Sequence, residues 1–261
     1  MPEHVLEPYS RIARAEFTGG QKIGCLLSHG FTSSPASMRP MGEALAERGY
    51  AVEVPRLPGH GTTWQELNRT TWADWYGEVN RAFDKLERTC DHVFVGGHSF
   101  GGGMSLQLAA ERPDRVAGVI LVNPSVMNAR KDAIAVAVLK YVASSVPGMV
   151  NDIKKPGAED WLYPRIPLRA TASLMAGRSR VRSYLPRVTA PVIFFRSVED
   201  HLVDPQSARA ILTLVSSEEI IERRLENSYH FATLDNDAKQ IFEESIAFVD
   251  RIVADRATAG S

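Results

Sequence analysis

The sequence predicts an α/β fold, with a mostly parallel central sheet, helices on both faces and a small inserted cap. Three observations predict it. Short segments rich in β-formers alternate with helical patterns along most of the chain. Several of those strands are near-continuous apolar runs, as a sheet covered on both faces requires. A glycine-flanked serine, Gly96-Gly97-His98-Ser99-Phe100-Gly101-Gly102, follows one of these runs and opens a helical pattern. A parallel sheet places such turns at its carboxyl edge.

The strand candidates are Ile23–Ser28, Ala51–Pro55, Val93–Gly96, Val116–Val122, Val192–Phe195 and Ile220–Leu225. Between them, Ser34 before Pro35 suits a helix start leading into Met38–Glu47, and Asp204-Pro205 repeats the arrangement before Ala208–Val215. Trp72, Trp75, Tyr76, Val79, Phe83 and Leu86 fall at offsets of 3, 4, 7, 11 and 14, one apolar helix stripe. One stretch breaks the rhythm. About seventy residues separate Val122 from Val192, far more than a crossover helix and its loops need. It contains an apolar helical pattern, Ala133–Val146, then Pro147-Gly148, Pro156-Gly157 and Pro164, and a second helical pattern, Leu168–Val181. Residues 126–187 therefore read as a cap inserted into a core of residues 1–125 and 188–261.

Composition narrows the function classes. With 261 residues, 44% hydrophobic and 23% charged, the chain has the make-up of a globular domain with a large core. A net charge of −1 gives no electrostatic reason to expect nucleic acid or an anionic bilayer as partner. No apolar stretch reaches the ~18–20 residues of a membrane helix, so stable membrane insertion is not expected. The N-terminus carries acid and no apolar h-region, and the two cysteines, Cys25 and Cys90, make no disulfide framework. A cytoplasmic location fits these features. No His/Cys/carboxylate cluster has metal-ligand spacing, and no cofactor is expected.

The serine motif fits G-x-S-x-G, the nucleophile elbow, with a strand before it and a helix after it. So tight a turn strains the backbone at Ser99 and needs neighbours without side chains, which accounts for Gly97 and Gly101. In this arrangement the acid and the base follow the nucleophile in that order. Of seven histidines only His230 lies beyond the last strand, in Asn227-Ser228-Tyr229-His230-Phe231. His98 should face away from Ser99, and His60 should brace a turn. The acid belongs just past Val192–Phe195, where Asp200 is the choice, Glu199 the reserve and Asp204 an N-cap. Oxyanion donors are expected from the backbone N–H of Phe100 and, in the loop His29-Gly30-Phe31-Thr32, of Phe31. The apolar cap residues Ile134, Val138, Leu139, Val142 and Met149 suggest an acyl chain as ligand.

The segments HGFTSSPASMRP (29–40), LPGHGTTWQEL (57–67), RTTWADWY (69–76), GGHSFGG (96–102), NDIKKPG (151–157), EDHLVDP (199–205) and NSYHFATLD (227–235) resemble the bacterial carboxylesterase and monoacylglycerol lipase family of α/β-hydrolases. The resemblance implies the α/β-hydrolase fold and a serine hydrolase of carboxylic esters, monoacylglycerols foremost. It implies Ser99 as nucleophile, His230 as base, Asp200 as acid, and Phe31 and Phe100 as oxyanion donors. In place of a cap glutamate that binds glycerol hydroxyls, this chain has Asp160, one methylene shorter and next to Glu159. Phe100 replaces the usual methionine, and its ring is expected to reshape the pocket. A small-ester carboxylesterase, another chemistry on the same elbow, and a non-catalytic receptor are the competing readings.

Overall fold

A computed structural model describes residues 6–128, 130–148 and 151–259. The strands are β1 (Tyr9–Arg11), β2 (Ile23–Ser28), β3 (Ala51–Val54), β4 (His92–His98), β5 (Val116–Val122), β6 (Ser145–Pro147), β7 (Arg165–Pro167), β8 (Val192–Ser197) and β9 (Ile220–Leu225). Seven of them form one sheet in the order β1-β3-β2-β4-β5-β8-β9. All neighbours in it are parallel except β1, which runs antiparallel to β3 at the edge. The sequence reading misses β1 because it is three residues long, with only Tyr9 buried.

The helices are α1 (Arg39–Glu47), α2 (Trp64–Leu67), α3 (Trp72–Glu87), α4 (Phe100–Glu111), α5 (Arg130–Leu139), α6 (Leu168–Tyr184), α7 (Gln206–Leu214) and α8 (Ala238–Ala259). Period-two alternation inside the apolar strands splits the core into two layers. Leu26, Val95, Val119, Leu121 and Phe194 pack with Trp75, Val79 and Phe83 of α3 and with Leu106 of α4. Cys25, Leu27, Phe94, Ile120 and Phe195 pack with Met41 and Leu45 of α1 and with Ile241, Phe248 and Val249 of α8. The aromatic stripe of α3 is thus core, and the reciprocal Thr71–Asp74 capping box fixes where that helix begins.

The insertion differs from its expected form. The helical pattern over Ala133–Val146 divides: α5 ends at Leu139, and Ser145–Pro147 forms β6, paired antiparallel with β7. Pro147 has no N–H to continue a helix, and Val146 beside it favours an extended backbone. Ile134, Val138 and Val142 are 60%, 63% and 78% exposed, so these apolar side chains face solvent. Among the described residues no helix is long and apolar enough to cross a membrane.

Helix α6 is held against the core at one tight point. A Cβ on Gly177 would lie 1.9 Å from the buried ring of Trp72. The Trp72 backbone N–H donates to Ser173 Oγ of α6 at 2.9 Å, and its indole N–H donates to Gln107 Oε1 of α4 at 3.0 Å. Gly177→Ala should therefore lower the urea midpoint by a destabilisation of about 1–3 kcal/mol, the usual cost of overpacking. A midpoint equal to that of the parent chain would show that the α6–Trp72 contact yields without cost.

Candidate active site

Strand β4 runs to His98, so Ser99 stands directly between strand and helix. Its φ of +54° and ψ of −115° lie in a region that costs a residue with a side chain about 1–3 kcal/mol. Three hydrogen bonds hold it there: Ser99 N–H donates to the Val122 carbonyl, and the Ser99 carbonyl accepts from Gly103 and Ser125. The flanking glycines follow from contact distances. A Cβ at 97 would come within 2.4 Å of the Gly101 carbonyl carbon, and a Cβ at 101 within 2.1 Å of the Ser28 carbonyl oxygen.

Sheet register brings the other groups in. Ser28 pairs with Gly97 at the ends of β2 and β4, so the loop carrying Phe31 leaves the sheet beside the elbow. Ser197 pairs with Leu225 at the ends of β8 and β9, so the loops carrying Asp200 and His230 leave side by side. There His230 Nδ1 meets Asp200 Oδ2 at 2.9 Å. Asp200 Oδ1 also accepts the N–H groups of Leu202 and Val203, each at 2.9 Å. Burial acts to raise the Asp200 carboxyl, but these hydrogen bonds and the facing imidazole outweigh it and hold it below the usual carboxylate range. Glu199 is exposed and pairs with Lys154 at 3.5 Å, and Asp204 caps α7 by accepting Gln206 N–H at 2.8 Å. Asp200 is thus the carboxylate that meets the base.

The other buried histidines bond backbone carbonyls. His29 donates from Nδ1 to the Gly30 carbonyl and accepts Leu57 N–H at Nε2, with burial pulling it down to about 4. His60 packs between Trp75 and Phe100, its Nδ1 on the Pro58 carbonyl, and burial lowers it as well. His98 packs its ring 4.6 Å from that of His230, and its Nε2 donates to the His230 carbonyl at 2.9 Å.

That carbonyl also accepts from Asn123 Nδ2 at 2.9 Å, while His230 N–H donates to Asp152 Oδ2 at 3.2 Å. Asn123 itself sits at φ +43° and grips Ser197 through both its amide atoms. Asp152 further accepts from His201 N–H and meets His201 Nδ1 at 2.7 Å. Asn123, Asp152 and the role of His98 escape the sequence reading, since each acts on residues 49 or more positions away.

Phe31, His98, Ser99, His230 and Phe231 line one cavity of about 180 Å³, with Gly30, Ile166, Thr171, Leu174, Arg178, Leu202 and Val203. Phe100 opens α4, where a backbone N–H has no intrahelical acceptor and the helix dipole favours negative charge. Two expectations change here. The Phe100 ring is buried against Trp72, Trp75 and Phe31 and stays out of the cavity wall, because α4 enters the core with its first residue. The apolar wall comes from Ile166, Leu174, Leu202 and Val203, and the exposed α5 side chains take no part. Met149 lies outside the described residues. Asp160 is buried but absent from the wall, and its Oδ2 accepts from Ser33 Oγ at 2.5 Å.

An elbow serine, a histidine–carboxylate pair and a shared cavity at the carboxyl edge of a parallel sheet define a serine hydrolase of the α/β-hydrolase fold. A family profile described as "Serine aminopeptidase, S33" matches residues 21–237, and the chain belongs to that family. It is 37% identical to a thermostable monoacylglycerol lipase of Bacillus sp. (strain H-257), over 93% of this chain and 97% of that protein. It is 25% identical to a carboxylesterase of Bacillus subtilis (strain 168), over 90% and 95% of the two chains. A solved structure from work on LipS and LipT, two metagenome-derived lipolytic enzymes, superposes with a TM-score of 0.89 at 37% identity, covering 96% of this chain and 99% of that one.

Asp160 makes a pH signature expected. Burial pushes its carboxyl up to about 7, against hydrogen bonds from Ser33 and the Trp161 N–H. Between about pH 4 and pH 7 the folded chain keeps a proton that the unfolded chain releases, so stability falls as pH rises through that window. Asp160→Asn cannot ionise. Relative to the parent it should gain stability from pH 4 to pH 8 by on the order of a few kcal/mol, read from urea melts at each pH. Parallel stability curves for the two proteins would count against a buried, strained carboxyl here.

Proposed function

We propose that the protein hydrolyses carboxylic esters, monoacylglycerols foremost, through an acyl-enzyme on Ser99. His230 takes the Ser99 hydroxyl proton as Oγ attacks the ester carbonyl, and Asp200 holds the imidazole in the required tautomer. The developing oxyanion accepts from the Phe31 and Phe100 N–H groups, with the α4 N-terminus behind them. His230 then protonates the leaving alcohol. Water, activated by the same base, attacks the acyl-enzyme and releases the carboxylic acid. Residues 126–187 act as the cap that closes over this centre, and the cytoplasm is the expected setting for a chain with two free cysteines.

The observation that carries the reading is the 2.9 Å His230–Asp200 bond beside a strained serine that shares a cavity with the histidine. The choice of monoacylglycerol is supported by the similarity to the Bacillus lipase. One observation favours a second reading, a carboxylesterase for small esters. Asp160 bonds Ser33 and leaves the wall of a cavity that is small beside the ~300–1,000 Å³ of common ligand sites.

Ser99→Ala should lower turnover of a reactive ester by about 10⁶-fold and abolish fluorophosphonate labelling, and Asp200→Asn should lower it by about 10⁴-fold. Residual turnover near a tenth of the parent in either variant would contradict these roles. Rates on 1-monoacylglycerols against matched methyl esters divide the two readings: a preference for the glycerol esters supports the lipase, and equal or faster methyl-ester turnover supports the carboxylesterase.

A further inference from the structure

Arg178 of α6 forms part of the wall of the Ser99 cavity. Its Nε is enclosed by protein and has no hydrogen-bond partner. Its recorded hydrogen bond is a long one, from Nη1 to Asn128 Oδ1 at 3.4 Å. Asn128 is in turn oriented by donating to the Met175 carbonyl at 2.8 Å. Among the described residues no carboxylate pairs with this guanidinium, although other arginines of the chain, such as Arg48, Arg112 and Arg196, do have such partners. Among the described residues the cavity wall contains no acidic side chain, only Arg178, apolar side chains and the polar groups of Ser99, Thr171, His98 and His230.

Arg178 is half-buried, and a guanidinium in such a wall carries a desolvation cost that an anion would offset. Burial accordingly pulls Arg178 down to about 10. Packing alone does not call for the charge, since leucine or methionine would fill the same helix position. The planar fork suits a carboxylate or a phosphate, which it can hold through two parallel hydrogen bonds.

We propose that Arg178 selects esters bearing one anionic group, a carboxylate or a phosphate, held in the same cavity as the bond that Ser99 attacks. This rests on the ester-hydrolase reading alone and moves its preferred substrate from neutral monoacylglycerols to anionic monoesters. The anion has two possible sources. It belongs to the acyl half in a half-ester of a dicarboxylic acid, and to the alcohol half in an acylated glycerol phosphate.

The test measures kcat/KM on two matched pairs: monoethyl adipate against ethyl hexanoate, and 1-butanoylglycerol 3-phosphate against 1-butanoylglycerol. The parent protein should favour the anionic member of one pair by about tenfold or more, and the pair concerned identifies which half carries the charge. In Arg178→Met that ratio should fall to about one through a higher KM for the anionic ester, and Arg178→Lys should keep part of it. A second measurement needs no variant. Adipate or glycerol 3-phosphate should inhibit ethyl hexanoate hydrolysis competitively, at concentrations where hexan-1-ol or glycerol does not. Neutral esters turned over at least as fast as both anionic partners, without such inhibition, would overturn the proposal and leave the hydrolase intact. A preference unchanged in Arg178→Met would overturn it too. Absence of turnover on all four esters, together with no fluorophosphonate labelling of Ser99, would instead overturn the hydrolase reading itself.

Discussion

The backbone of Ser99 is the constraint on which the rest of the site depends. A side chain held at φ +54° is raised clear of the sheet edge only if strand, turn and helix meet at less than a Cβ's separation. That closeness drives α4 straight into the interior, where residues 100–110 are all buried. A helix enclosed on every side needs another layer over it, and α6 supplies part of that layer. The cost of the strained serine is thus distributed through a large share of the core.

His230 is fixed by different means. The His230 backbone is held from three directions: the amide of Asn123 and the ring of His98 on its carbonyl, and the Asp152 carboxylate on its N–H. Asp152 belongs to the inserted segment, as do Lys154 and Lys155, whose N–H groups bond Asp235 a few residues beyond His230. The insertion is therefore tied to the loop that carries the imidazole. Of the buried histidines around the elbow, His230 is the one that meets a carboxylate. His29 and His98 bond backbone carbonyls, and burial depresses both. In the proposed mechanism, their neutrality keeps positive charge from competing with a His230 imidazolium.

Much of this was legible in the sequence because the deciding rules are local. Six strands, the α3 stripe and the elbow glycines each follow from residues within a few positions of one another. That Ser99, Asp200 and His230 share one edge could be read because a parallel sheet puts every loop of that type there. The illegible parts depend on distant pairs. Nothing near Asn123 announces that it will bridge to Ser197 and His230, and nothing near Arg178 marks it as a cavity residue. The apolar residues of α5 misled for a related reason. Composition records that they are apolar, whereas only packing decides which face they turn to solvent.

The contact between Gly177 and Trp72 carries a consequence for how selectivity can change over time. Helix α6 brings Leu174 and Arg178 to the cavity, and Trp72 locks that helix to Gln107 on the very helix that Ser99 opens. Wall and Ser99 are therefore tied to one packed frame, and the distance between them resists adjustment. Descendants of this chain have little room to acquire new substrates by tilting the helix. They must do it by exchanging single side chains along α6, one size or one charge at a time, while the frame stays where it is.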